Sequence, residues 1–161
     1  MPSTRPLKLD DWGISWEEYK ELTYFCLQYE AKKRDAAALL TIKLSTPTPV
    51  TYHKKIGDRS VEYGEFLPHG SGHISDPVAA TAAKRERLLR DVRMIEAAAH
   101  KAGELDGGYN IGSSLLRAVT TRSGVQGVMA NGNTPCNKND FYAARRRFFW
   151  ILREMKNGDS Y

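Results

Sequence analysis

At 161 residues the chain is long enough for one ordinary domain with a real core, or for a small domain plus a helical appendage. With 41% hydrophobic and 27% charged residues and a mean hydropathy of -0.52, the composition is that of a soluble globular protein, and no stretch approaches the roughly twenty apolar residues of a membrane span. A net charge of +5 and a pI near 9.2 tilt the choice of partner toward nucleic acid or another acidic surface.

Cys26 and Cys136 are the only cysteines and no CxxC or clustered Cys/His spacing occurs, so neither a disulfide framework nor a zinc finger is supported. A reduced, cytoplasmic setting is expected. The N-terminus has no apolar run of the signal-peptide kind, and no cofactor motif is present; HGSGH lacks both the spacing and the Lys-Ser/Thr of a phosphate loop.

Residues 1–14 read as a polar leader with Pro2 and Pro6, partly ordered by Trp12 and Ile14 docking elsewhere. Ser15 followed by Glu18 is a capping-box pattern, so a helix starts near Trp16. Trp16, Tyr19, Leu22, Phe25, Cys26 and Tyr29 recur at helical spacing and are expected to pack in the core, although such a stripe also suits base stacking. With no Gly or Pro intervening, one helix is expected through to about Lys43.

Between Ser45 and Ile74, Pro47, Pro49, Gly57, Gly64, Pro68, Gly70 and Gly72 punctuate short mixed runs, so a long connection with room for a small hairpin is expected. His53, His69 and His73 lie in it without a carboxylate or Cys at ligand spacing and are read as solvent-facing, with no metal site. Ser75-Asp76-Pro77 is a helix start, and the helix then runs to Gly103. Leu88, Val92, Ile95 and Ala99 follow a spacing that suits packing along another long helix, either the N-terminal one or that of a second copy. Lys84, Arg85, Arg87, Arg90 and Arg93 make its outer face basic; Glu86, Asp91 and Glu96 dilute it, so the face is read as solvated by default, with phosphate contact as the alternative.

YNIGSSLLRAVTTR reads as a short helix. SGVQGVMANGN then offers either a short helix carrying Val125, Val128 and Met129, against which Gly124 and Gly127 each count about 1 kcal/mol, or a small β-ribbon turning at Asn131-Gly132. From Asn137 to Lys156 apolar periodicity, positive charge and aromatics coincide. Asn137 is a helix cap, and Phe141, Ala144, Phe148, Ile151, Leu152 and Met155 form the core-facing stripe. Tyr142, Arg146 and Arg153 fall on another side, with Trp150 beside them. A helix opening with Lys138 and Asn139 and continuing through Tyr142, Arg145, Arg146 and Arg147 presents donors where a recognition helix meets base edges and phosphates; a solvated basic face is the competing reading.

The blocks SWEEYKELTYFCLQYE, ISDPVAATAAKRERLLRDVRMIEAAA, LLRAVT and TPCNKNDFYAARRRFFWIL resemble phage and prophage transcriptional regulators of the RinA/ArpU type, with a domain similar to sigma-factor region 4. The resemblance implies a helical hairpin followed by a C-terminal helix-turn-helix that binds duplex DNA in a bacterial host cell, with Lys138, Asn139, Tyr142, Arg145, Arg146 and Arg147 on the recognition helix. Where such relatives carry a helix-forming run ahead of the turn, this chain has SGVQGVMANGN. That departure leaves a second reading open, a phage-encoded modulator of a host nucleoprotein machine such as RNA polymerase or a CRISPR-type nuclease.

The expected fold is therefore all-α. A leader over 1–14 precedes a long helical hairpin over 15–104 with an inserted loop at 45–74, and a helix-turn-helix-like nucleic-acid-binding unit covers 105–157. A homodimer is a further expectation, because the Leu88 stripe exceeds what one partner helix covers and such proteins read paired half-sites. No catalytic constellation is found: Asp10-Asp11 and Glu17-Glu18 are adjacent pairs whose side chains point apart on a regular element, and Ser113-Ser114 has no nucleophile-elbow pattern around it. The site expected is the basic C-terminal helix, Lys138 to Arg153.

Overall fold

The computed structural model describes residues 8–41, 50–56, 59–66, 77–131 and 134–158, with the backbone alone for 50–56 and 59–66. It is an all-α fold: among the described residues there are six α-helices, α1 (Trp16–Leu27), α2 (Tyr29–Thr41), α3 (Pro77–Ala102), α4 (Gly112–Thr120), α5 (Gly124–Ala130) and α6 (Lys138–Lys156), accompanied by one two-stranded antiparallel hairpin, β1 (Val50–Ile56) and β2 (Arg59–Phe66). The hairpin occupies the place the sequence left open for it, with a register irregularity at Thr51/Tyr52. The helix-starting residues Ser75 and Asp76, the segment 42–49, His69 and His73, and the side chain of His53 lie outside the described residues. No described helix is long and apolar enough to cross a membrane.

α1 begins as its sequence predicts. Ser15 Oγ accepts from the Glu18 N–H at 3.2 Å, and Glu18 Oε2 accepts from the Ser15 N–H at 3.0 Å, so two backbone donors that the helix cannot satisfy internally are satisfied by each other's side chains. The single helix expected through to Lys43 is instead two. The chain turns at Gln28, whose N–H bonds to the Cys26 carbonyl, and α2 starts afresh at Tyr29. No local residue announces the break. Its physical reason is tertiary: α1 packs on α4 and α6, whereas α2 lies along α3, and one straight helix would not serve both.

α2 and α3 run antiparallel and are tied by Tyr29 Oη donating to Glu96 Oε1 at 2.6 Å and by Lys32 Nζ to Asp91 Oδ2 at 2.6 Å. Burial and the Glu96 carboxylate leave the Tyr29 hydroxyl well above its ordinary pKa, since losing its proton would place a charge beside Glu96 in a desolvated position. α3 stops where expected, though for a different reason than a left-handed cap. A Cβ on Gly103 would stand 2.4 Å from the Gly112 nitrogen and 2.6 Å from its Cα, so glycine is required because the start of α4 passes directly over the end of α3.

α5 settles the choice left open for SGVQGVMANGN in favour of a short helix. Gly124 adopts φ +60 at its start, a conformation glycine takes without strain, and Val125 and Val128 are buried. One continuous apolar cluster joins Leu9 and Ile14 of the leader, Leu22 and Cys26 of α1, the C-terminal half of α3, and Phe141, Phe148, Phe149 and Leu152 of α6. Ile14 is buried and the Trp12 ring packs at a tilt against Trp150 with centroids 6.1 Å apart, so the described end of the leader docks through the two residues the sequence suggested. The aromatic stripe that begins at Trp16 departs from expectation: Leu22 and Cys26 of α1 and Tyr29 of α2 are buried and Tyr19 and Phe25 partly so, but Trp16 is 56% exposed. Trp16 belongs to the first turn and sits beyond the edge of the core.

Candidate nucleic-acid interface

The site is built on α6. Asn137, in extended conformation at φ -78 and ψ 167, accepts from the Asp140 N–H through Oδ1 at 2.9 Å and fixes the first turn. From there the helix rides on α3 and, further along, against α1. Being covered on two sides gives it a wider apolar arc than one stripe. Phe149, which the projected stripe leaves out, is buried against Tyr19 with centroids 4.9 Å apart in an edge-on arrangement.

The seven predicted residues divide into two groups. Arg145, Arg147 and Arg153 are engaged by the protein itself. The Arg145 guanidinium lies 5.9 Å from the Phe149 ring centroid and Nη2 donates to Tyr19 Oη at 3.4 Å, while its Nε is buried without a partner among the described residues. Arg147 Nη1 donates to the Glu104 carbonyl at 3.1 Å, tying α6 to the bend after α3. Arg153 Nε lies 3.5 Å from Glu18 Oε1, the carboxylate that also closes the α1 capping box, and Nη1 lies 3.9 Å from Glu154 Oε1. At 3.5 Å the Glu18 contact is an ion pair and not a hydrogen bond, consistent with an Arg153 Nε that has no hydrogen-bond partner among the described residues. Lys156, outside the seven, reaches Glu21 at 3.4 Å and stands 4.8 Å from the centroid of Phe25.

Lys138, Asn139, Tyr142 and Arg146 form the other group. Lys138 and Asn139 are exposed on the first turn, Tyr142 is half-buried with its ring against the core, and Arg146 is half-exposed. Neither Lys138 nor Arg146 has an ion pair or hydrogen bond among the described residues. Asn139, Arg146 and Trp150 share the side of α6 turned away from Phe141, Ala144 and Phe148, and Trp12 of the leader caps the Trp150 end.

The opposite flank of the α6 start is a cleft of about 280 Å³ lined by Glu104, Asp106, Asp140, Cys136, Tyr109 and Arg147. Its carboxylates outnumber its one guanidinium, so it repels phosphate and sets an edge to any anion-binding surface. The Cys136 thiol is pushed up by burial and by Asp140, which makes it a poor nucleophile there. Among the described residues no cluster of three His, Cys, Asp or Glu side chains is placed to hold a metal ion.

Sequence reasoning missed the elements that engage the basic residues: Tyr19, Glu18 and the Glu104 carbonyl. The Ser15/Glu18 capping box is a legible signal for Glu18's position, but nothing local links it to Arg153, which lies far along the chain. No family model matches the chain, and no curated protein or solved structure matches it.

Proposed function

We propose that this chain is a phage-type DNA-binding transcriptional regulator that contacts duplex DNA with the N-terminal half of α6. Lys138 and Arg146 meet phosphates, Asn139 and Tyr142 face base edges, and Arg145, Arg147 and Arg153 hold the helix in place. The observation that carries the reading is a pair of cations, Lys138 and Arg146, without partners among the described residues, at the open end of a helix whose other arginines are engaged internally. A capped helix start, a net charge of +5 and α5 directly ahead of α6 support it.

The test is fluorescence anisotropy of random duplex DNA over a salt series, comparing the wild type with Lys138→Ala/Arg146→Ala. Removing two phosphate-bound cations should make the log–log salt slope shallower by roughly 1.8. A wild type that binds no duplex at low salt overturns the proposal and directs the search to a host protein partner.

A further inference from the structure

We infer that the N-terminal half of α3 is a second phosphate-contacting element, a basic arm held outside the core. This rests on the duplex-binding reading above and adds a separate surface to it.

From Pro77 to Asp91 no side chain of α3 is buried; the buried residues Val92, Ile95, Ala98, Ala99 and Ala102 all lie in its second half. At about 1.5 Å per residue the unburied stretch extends roughly 20 Å. Antiparallel α2 accompanies it with Ala36 as its one buried side chain there, and Leu40 and Val78 are 66% and 56% exposed. A two-helix arm of this kind contributes little to the core, so its composition is free to serve something else.

Its charges are not balanced. Glu86 and Asp91 are the carboxylates of the stretch, and both are taken by cations outside it: Glu86 by Arg93 at 2.9 Å and Asp91 by Lys32 at 2.6 Å. Lys84, Arg87 and Arg90 are exposed and have no ion pair or hydrogen bond among the described residues. Steps of three residues fall short of a full turn, so these cations form a row slanting across the helix. Such a row matches a phosphate backbone crossing the arm. Three of the stretch's four cations are arginines, whose planar fork suits phosphate oxygens better than the point charge of lysine. On α2, Lys33 and Arg34 face Glu30 and Asp35 in number and cancel, so the row on α3 is the net positive feature. A second copy of the chain is a poor occupant for this face, because about a two-fold axis the row would meet itself.

The experiment is the same anisotropy salt series on random duplex DNA, with Lys84→Ala/Arg87→Ala/Arg90→Ala beside the wild type and a control that removes surface charge elsewhere, Lys8→Ala/Lys20→Ala. Alanine is a good helix former and the positions are exposed, so the melting temperature of the triple variant should stay within a few degrees of wild type. A log–log slope shallower by about 2 to 3 in the triple variant, with the control unchanged, is the expected result. A slope equal to wild type overturns the arm while leaving the α6 reading intact. A change no larger than that of the control assigns the effect to net charge and also overturns it. A wild type without affinity for duplex fails the α6 reading first, and the arm with it.

Discussion

The two halves of α6 carry similar residues and are put to different use. From Phe148 to Lys156 the helix is braced: Phe149 meets Tyr19, Arg153 meets Glu18, Lys156 meets Glu21 and Trp150 meets Trp12. From Lys138 to Arg147 it has α3 beneath it, but Lys138 and Arg146 make no ion pair or hydrogen bond among the described residues. The comparison teaches that an arginine's role on a basic helix is decided by what other elements bring to it. Arg145, Arg146 and Arg147 are consecutive, yet the first leans on an aromatic ring, the last donates to a backbone carbonyl, and the middle one has no partner among the described residues.

Several changes would break or sharpen this contrast. The largest effect is expected from Phe148→Ala, since Phe148 is fully buried in the cluster that joins α6 to the rest of the molecule; urea unfolding should show a destabilisation of about 3–5 kcal/mol. A value under about 1 kcal/mol would mean that α6 is not part of the core. Next, Gly103→Ala should cost about 1–3 kcal/mol by overpacking, because the new methyl meets backbone of Gly112 that cannot swing aside. Stability unaffected by that change would contradict the close crossing of α3 and α4 on which α6 rests.

The capping box comes third. Ser15→Ala removes one of its two bonds and should lower stability by about 1 kcal/mol, and a double-mutant cycle of Glu18→Gln with Arg153→Ala should return a coupling of about 0–1 kcal/mol, as expected for a pair still in contact with solvent. Arg146→Ala should stay within roughly 0.5 kcal/mol of wild type while weakening duplex binding. If Arg153→Ala weakened duplex binding as much as Arg146→Ala, the division of α6 into a braced and an open half would be wrong.

The smallest effect at neutral pH concerns Cys26, beneath the α1–α6 contact. Burial pushes its thiol up to about 12 from an ordinary value of 9.0, against the opposing pull of Lys156 and Arg145. A pKa raised in the folded state means that the unfolded chain releases the proton first, so stability is intact below about 9 and falls as pH rises toward about 12. Cys26→Ala should flatten that alkaline decline measured by thermal melts, in part only, because Tyr29 shifts in the same direction. An unchanged decline would place Cys26 outside the buried contact.

Much of the secondary structure was legible because it rests on local chemistry. The caps at Ser15 and Asn137, the 26-residue α3 and the apolar stripe of α6 follow from side chains a few residues apart. The candidate site was legible as a set of residues but not as an arrangement. Arg153 lies far along the chain from its partner Glu18, and Tyr19 is 126 residues from Arg145, so no periodicity within α6 could reveal which cations were engaged. Trp16 departs from its expected burial for a related reason: helical spacing says which side chains share a face, but whether that face is covered depends on how far a neighbouring element extends.

By itself, then, the sequence determined an all-α protein with a capped basic C-terminal helix, a long α3 and a long connection with room for a hairpin, since caps, propensity and apolar period act over one or two turns. Only the tertiary structure decided the break at Gln28, the glycine contact between α3 and α4, and the split of α6 into engaged and open cations. Those depend on groups brought together from distant parts of the chain, where the gain from burying apolar surface and satisfying charge overrides what each segment would do alone.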